Sequence, residues 1–152
     1  TPTPSVTPTP TDTPVKTPAP TATPTPAFEL DLILNHTVFS PGMLFSLDVD
    51  VANWVSRQNP LRLFVVLDVY GEYFIAPSWT PEYQFIYVSA PVGRFGIPVL
   101  SFIWPDVDGT ADGLMFHAAM TNTDGTVIVS DSRFPERATD SVTFGYQDSG
   151  EL

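Results

Sequence analysis

Phe45-Ser46-Leu47-Asp48-Val49-Asp50-Val51-Ala52 alternates large apolar residues with small or acidic ones. Successive side chains of a strand point to opposite faces. This period of two therefore puts Phe45, Leu47, Val49 and Val51 on a buried face and the carboxylates on a wet one. Upstream, Phe28-Glu29-Leu30-Asp31-Leu32 repeats the pattern in a strand expected to reach about Asn35, and Ser40-Pro41-Gly42 supplies a turn between the two. Downstream, Asn59-Pro60 reads as punctuation before a nearly continuous apolar run at residues 61–70. Such a run suits a central strand covered on both faces or nearly so. Gly71 ends it, and residues 72–75 read as a short hairpin return. Pro77 and Pro81 bracket a loop that holds Trp79.

Residues 83–88, 97–104, 114–121 and 141–146 read as further strands, and residues 105–113 as an acidic turn. Thr123-Asp124-Gly125 is a hairpin signal with residues 126–130 returning. No segment carries sustained helical periodicity or caps. Eight or nine short strands at this spacing predict an all-β fold, an immunoglobulin-like two-sheet β-sandwich over residues 27–152. Phe45, Leu47, Val49, Val51, Phe64, Val66, Phe102 and Phe116 are its expected core.

Residues 1–26 form a second region, composed mostly of Thr, Pro and Ala. Proline fixes φ and removes the amide donor, so neither a helix nor a central strand is expected there. The region is expected to be an extended polyproline II arm or linker, spanning roughly 80 Å at ~3.1 Å per residue. Its prolines are interleaved with hydroxyls, a composition typical of O-glycosylated stalks. Thr1, Thr3, Ser5, Thr7, Thr9, Thr11, Thr13, Thr17, Thr21, Thr23 and Thr25 are the O-glycosylation candidates, and covalent glycans the expected partners. The chain opens on Thr1 rather than methionine, so an upstream signal or further domains are expected.

Charge excludes several functions. Asp12 and Lys16 cancel in the arm, so the whole formal charge of −11 falls on residues 27–152, which contain five arginines and no lysine. Such a surface repels phosphate backbones and anionic membranes, so no nucleic acid is expected as a partner. No apolar run approaches the ~20 residues that span a bilayer, so no membrane insertion is expected. Cysteine is absent, so the core has to hold without disulfides.

The segment TVFSPGMLFSLDVDVANW, residues 37–54, resembles the first hairpin of many bacterial immunoglobulin-like modules. GTADGLMFHAAMT at residues 109–121, with VTFGYQ at 142–147 closing the domain, is similar to β-sandwich domains that follow Pro-Thr linkers in large secreted bacterial proteins. The layout of a Thr-Pro arm and a small sandwich also resembles subunits of glycosylated, pilus-like extracellular fibrils. The resemblance implies an extracellular or cell-surface location and a head-to-tail homopolymer, in which one copy's arm or strand completes the next. Phe28, Leu30, Leu32 and Leu34 are the assembly-strand candidates, with pairing inside their own domain as the alternative.

Catalytic chemistry is not expected. His36 and His117 are the only histidines, and both read as structural. A Ser-His-Asp nucleophile needs a shaped loop and an oxyanion hole, and paired carboxylates need a cleft that separates their pKa values. Zinc is unexpected without cysteine and with two distant histidines. Asp106, Asp108 and Asp112 crowd an acidic turn, read either as a solvated turn or as a calcium site. Tyr73, Trp79 and Tyr83 lie in or beside the Pro-bounded loop, where they form either a sugar-stacking platform or part of the core. Asn35-His36-Thr37 is an N-glycosylation sequon, with Asn35 as its acceptor. Two classes follow: a structural subunit of an extracellular assembly, or a carbohydrate-binding or adhesive module on a tether. An exposed aromatic strip on one sheet would favour the second.

Overall fold

The computed structural model describes residues 1–20, 28–54, 58–123 and 139–148. Residues 1–20 are exposed and belong to no strand or helix. The alternating segment Phe28–Leu34 forms β1, which pairs antiparallel with β3, Leu44–Asn53, from Phe28 opposite Asn53 to Leu34 opposite Leu47. β7, Gly93–Ile103, pairs with the other side of β3 and completes a three-stranded sheet of order β1-β3-β7. The assembly-strand candidates are thereby used within their own domain, with Phe28, Leu30 and Leu32 buried and Leu34 packed against the core.

After β1 the chain crosses to the second sheet. β2, Val38–Phe39, runs parallel to β9, Thr139–Gln147. β9 pairs with β8, Thr110–Thr121, and β8 with β4, Gln58–Val69. β5, Glu72–Ile75, and β6, Ile86–Ala90, both pair with β4, along its second and first halves respectively. The larger sheet thus has the order β2-β9-β8-β4-β5, with β6 also paired to β4. These two sheets make the immunoglobulin-like sandwich that the alternation predicts.

The core between the sheets is aromatic at its centre. Phe45 is buried, stacks on Phe102 at 4.9 Å, and lies 4.8 Å from Phe39 and 5.7 Å from Phe144. Leu47, Val49 and Val51 from β3 face Leu61, Leu63 and Val65 from β4 and Phe116, Ala118 and Met120 from β8. Asn53 is buried at the end of β3, where its Nδ2 donates to the carbonyl of Ala90 at 3.1 Å.

Several expectations are corrected. Phe64 and Val66 are not core residues. β4 alternates, and its inward set is Leu61, Leu63 and Val65. Phe102 is half-buried rather than buried. Asn59-Pro60 does not precede the strand but lies within it, where the pairing with β6 shifts register between Gln58 and Leu61. A proline is tolerated in a strand at such an irregularity, because no ladder bond is asked of its nitrogen. β8 begins at Thr110, so the acidic turn is shorter than expected, and Gly113, at φ +71°, sits where the β8–β9 register shifts between Ala111 and Leu114. The hairpin return at residues 126–130 lies outside the described residues, as do Thr21, Thr23 and Thr25. Among the described residues no helix is long and apolar enough to cross a membrane.

Candidate functional site

The two loop candidates part company with Tyr83. Trp79 adopts φ +57° and turns its half-buried ring into the sandwich, 5.8 Å from Phe116. It is therefore a core-packing residue and no platform. Tyr73 is exposed on β5 opposite Asp68. Tyr83 is 70% exposed and belongs to a different row, Tyr83, Phe85 and Tyr87.

These three residues alternate along the segment that becomes β6, so they share the sheet's outer face. Phe85 meets Tyr87 edge to face at 4.9 Å and lies 6.0 Å from Tyr83. Phe64, on the outward side of β4, underlies the row at 5.6 Å from both Tyr83 and Phe85. The Arg62 guanidinium carbon stands 4.6 Å from the Phe85 ring centroid, a cation–π contact that fixes the ring. The outer two rings remain open to solvent, Tyr87 at 67% exposure. The period-two aromatics of Tyr83-Gln84-Phe85-Ile86-Tyr87 are the sequence signal for this row.

Beside it runs a groove of about 310 Å³, lined by Phe64, Val66, His117, Ala119, Thr139 and Ser141 among others. Its origin lies in the ladder. Phe64 stands opposite Ala119, and Ala119 opposite Thr139, so a methyl group sits between two larger side chains on the outer face. At one end His117 Nδ1 lies 2.7 Å from Ser141 Oγ, and its Nε2 lies 3.6 Å from Asp68 Oδ2. His117 is thus not a core histidine but a half-exposed member of a polar trio. The trio draws on three strands, with His117 on β8, Ser141 on β9 and Asp68 on β4. What the face offers is rings for stacking, a groove, and an imidazole, a hydroxyl and a carboxylate for hydrogen bonds.

The acidic turn is organised by a side chain from β9. The buried Tyr146 hydroxyl donates to the Val107 carbonyl at 2.9 Å and accepts from the Val107 amide at 3.2 Å. Asp106, Asp108 and Asp112 are all exposed, and Asp112 is displaced onto β8, where its side chain lies over Gly145. Among the described residues no group of three or more His, Asp or Glu side chains is placed to hold a metal ion.

Asn35 is exposed, but its carboxamide is engaged. Nδ2 donates to the Leu44 carbonyl at 2.8 Å, and Oδ1 accepts from the Ser46 amide at 2.9 Å, which extends the β1–β3 pairing by one residue.

The outer face of the smaller sheet is acidic. Burial, followed by the charges of Glu29, Asp140 and Asp50, pushes the Asp31 carboxyl above its usual value, and Arg94 acts against them. Arg94 itself pairs with Asp50 at 3.7 Å.

No family model and no curated protein matches the sequence. Among solved structures, the chain is similar to the CARDB domain of the PF1109 protein from Pyrococcus furiosus, in a crystal structure in complex with di-metal ions. The identity is 16% and the TM-score 0.51, over 80% of this chain and 89% of that one. A solution NMR structure of the same CARDB domain is similar at 16% identity and a TM-score of 0.49, over 80% of this chain and 94% of that one. The first of these likenesses shows the fold, the two-sheet sandwich.

Proposed function

We propose that this chain is a non-catalytic extracellular module, carried on its Thr/Pro arm, which binds carbohydrate on the outer face of its larger sheet. The row Tyr83, Phe85 and Tyr87 supports this reading most directly. Apolar ring faces left open on a sandwich cost hydration, and a contiguous patch of them marks an interaction surface. Sugars suit such a surface because their C–H faces stack on rings while their hydroxyls reach flanking polar groups. Here Ser141, Thr139, His117 and Asp68 flank the groove. The acidic domain favours neutral or amino sugars over anionic ones. The extracellular assignment rests on the Thr/Pro composition and accords with the likeness to a CARDB domain.

Binding of the full chain to an array of neutral, amino and anionic oligosaccharides tests the reading. Retention of neutral or amino glycans is expected, and Tyr83→Ala with Tyr87→Ala should weaken it about tenfold, since each stacked ring contributes about 0.5–1.5 kcal/mol. Unchanged binding in the double variant, or no retention of any glycan, would overturn it.

A second reading, a structural subunit joined head to tail, is favoured by one observation. β7 is an eleven-residue strand at the edge of its sheet, and among the described residues it pairs with β3 alone.

A further inference from the structure

The arm has a regularity that composition hides. All nine prolines of residues 1–26 occupy even positions, and all ten threonines and Ser5 occupy odd ones. A polyproline helix of three residues per turn gives a period of two no common side. A β-strand does. Its amides and carbonyls alternate left and right, so the odd residues would offer every donor to one neighbour while the proline nitrogens face away. Threonine has high strand propensity, and a residue before proline is driven into the extended region. The arm is thus built to be the last strand of a sheet, able to pair along one side, while on the other only Val6, Asp12 and Lys16 of residues 1–20 keep an amide.

The open edge of β7 fits it. The Asn35 amide donates to the Ser46 carbonyl, so the backbone of Ser46 points to β1, as do Asp48 and Asp50 by alternation. Val49 and Val51 then face β7, where they meet Ile97 and Phe95. Arg94, Gly96 and Pro98 are left facing outward in the sheet plane. Beyond the register shift, Trp104 exchanges bonds with Gly42 and Met43 on the β3 side, which leaves Ser101 and Ile103 facing the open edge. Pro98 withholds one amide there but still offers its carbonyl.

Sidedness also agrees. In an antiparallel pair, hydrogen-bonded residues project side chains to the same face. Odd arm residues opposite Arg94 and Gly96 would turn their hydroxyls outward with those exposed positions. The proline rings would turn inward beside Phe95, Ile97 and Phe102, which are only half-buried because nothing described lies beyond them.

We propose that the arm of one copy, within residues 1–20, adds as an antiparallel terminal strand to the β7 edge of a second copy. Residues 1–20 stand clear of every strand of their own sandwich, which leaves them free for another's. The contact is heterologous, so it propagates as a chain or closes as a ring. It uses the smaller sheet and leaves the proposed sugar face uncovered, so it stands or falls independently of that reading.

Sedimentation of the full, unglycosylated chain over a range of concentrations tests this. The native sequence should self-associate. One alanine inserted between Pro8 and Thr9 puts the two halves of the arm out of phase while composition barely changes. It should raise the dissociation constant by roughly tenfold or more. Gly96→Pro, which removes an edge amide where a side chain has open space, should do the same with an unchanged circular dichroism spectrum. A native chain that stays monomeric, or association indifferent to the insertion, would overturn the proposal. Loss in Gly96→Pro alone would assign the edge to some other strand and overturn it equally.

Discussion

Asp31 shows how a single side chain records its surroundings. It stands on the outward side of β1, directly opposite Asp50 in the ladder, with Glu29 two residues away on the same face. Like charges opposite one another destabilise a sheet. Burial first, and then the charges of Glu29, Asp140 and Asp50, make the folded state hold the Asp31 proton more tightly than the unfolded chain, whose value is near 3.8. The sign follows from linkage. Below about pH 3.8 both states are protonated and the residue costs nothing. The penalty grows as pH rises past that value, and it is complete above the raised folded value. Asp31→Asn should stabilise the protein at neutral pH by less than about 1 kcal/mol, because the site is partly solvated. The gain should vanish in denaturant titrations below that acidic threshold, and a gain that persisted there would assign it to something other than charge.

At the scale of elements, the way the two sheets are tied shows what the sequence conceals. The Leu32 amide lies on the free side of β1, and it donates to Asp140 Oδ2 of β9 at 2.8 Å, a contact 108 residues apart in sequence. Asp140→Ala leaves that partly buried amide unpaired and should cost about 1–2 kcal/mol in equilibrium unfolding. Asp140→Asn keeps an acceptor oxygen and removes a charge that acts on Asp31, so it should cost little or nothing. Equal losses in the two variants would show that the bond is not what Asp140 contributes.

The same scale explains where the sequence reading succeeds and fails. β1 and β3 alternate cleanly, so their inward faces are legible from residues alone. In β4 nearly every position is apolar, so alternation cannot say which half faces in. Only the register with β8 decides it, so the residues alone leave Phe64 and Val66 as expected core residues. Trp79 sits between prolines in a loop that looks exposed, and packing against the core, Phe116 of β8 included, draws it inward. The aromatic row on β6 has a period-two signal in the sequence, yet the expected platform joins Tyr83 to Tyr73 and Trp79 instead of to Phe85 and Tyr87. The groove has no such signal, because it exists only where Phe64, Ala119 and Thr139 come side by side.

At the scale of the whole molecule, the division of labour between arm and sandwich is testable. Among the described residues the buried core lies between Phe28 and Tyr146, and residues 1–20 are exposed along their length. Residues 1–20 contribute no buried apolar area to their own domain, so removing residues 1–26 should leave cooperative thermal unfolding, with a Tm within about 4 °C of the full chain, a shift worth about 1 kcal/mol or less. The arm's exposed hydroxyls at Thr1, Thr3, Ser5, Thr7, Thr9, Thr11, Thr13 and Thr17 are open to modification. Chain isolated from its native source should therefore exceed its polypeptide mass, with the excess confined to the arm after proteolysis. The odd-position spacing that turns hydroxyls outward in a docked strand means that sugar on them need not block assembly. Glycosylated full-length chain should then associate, while the truncated chain stays monomeric and folded. A truncated chain that unfolds would show that the arm packs on its own sandwich. A truncated chain that associates as the full one does would remove the arm from the contact.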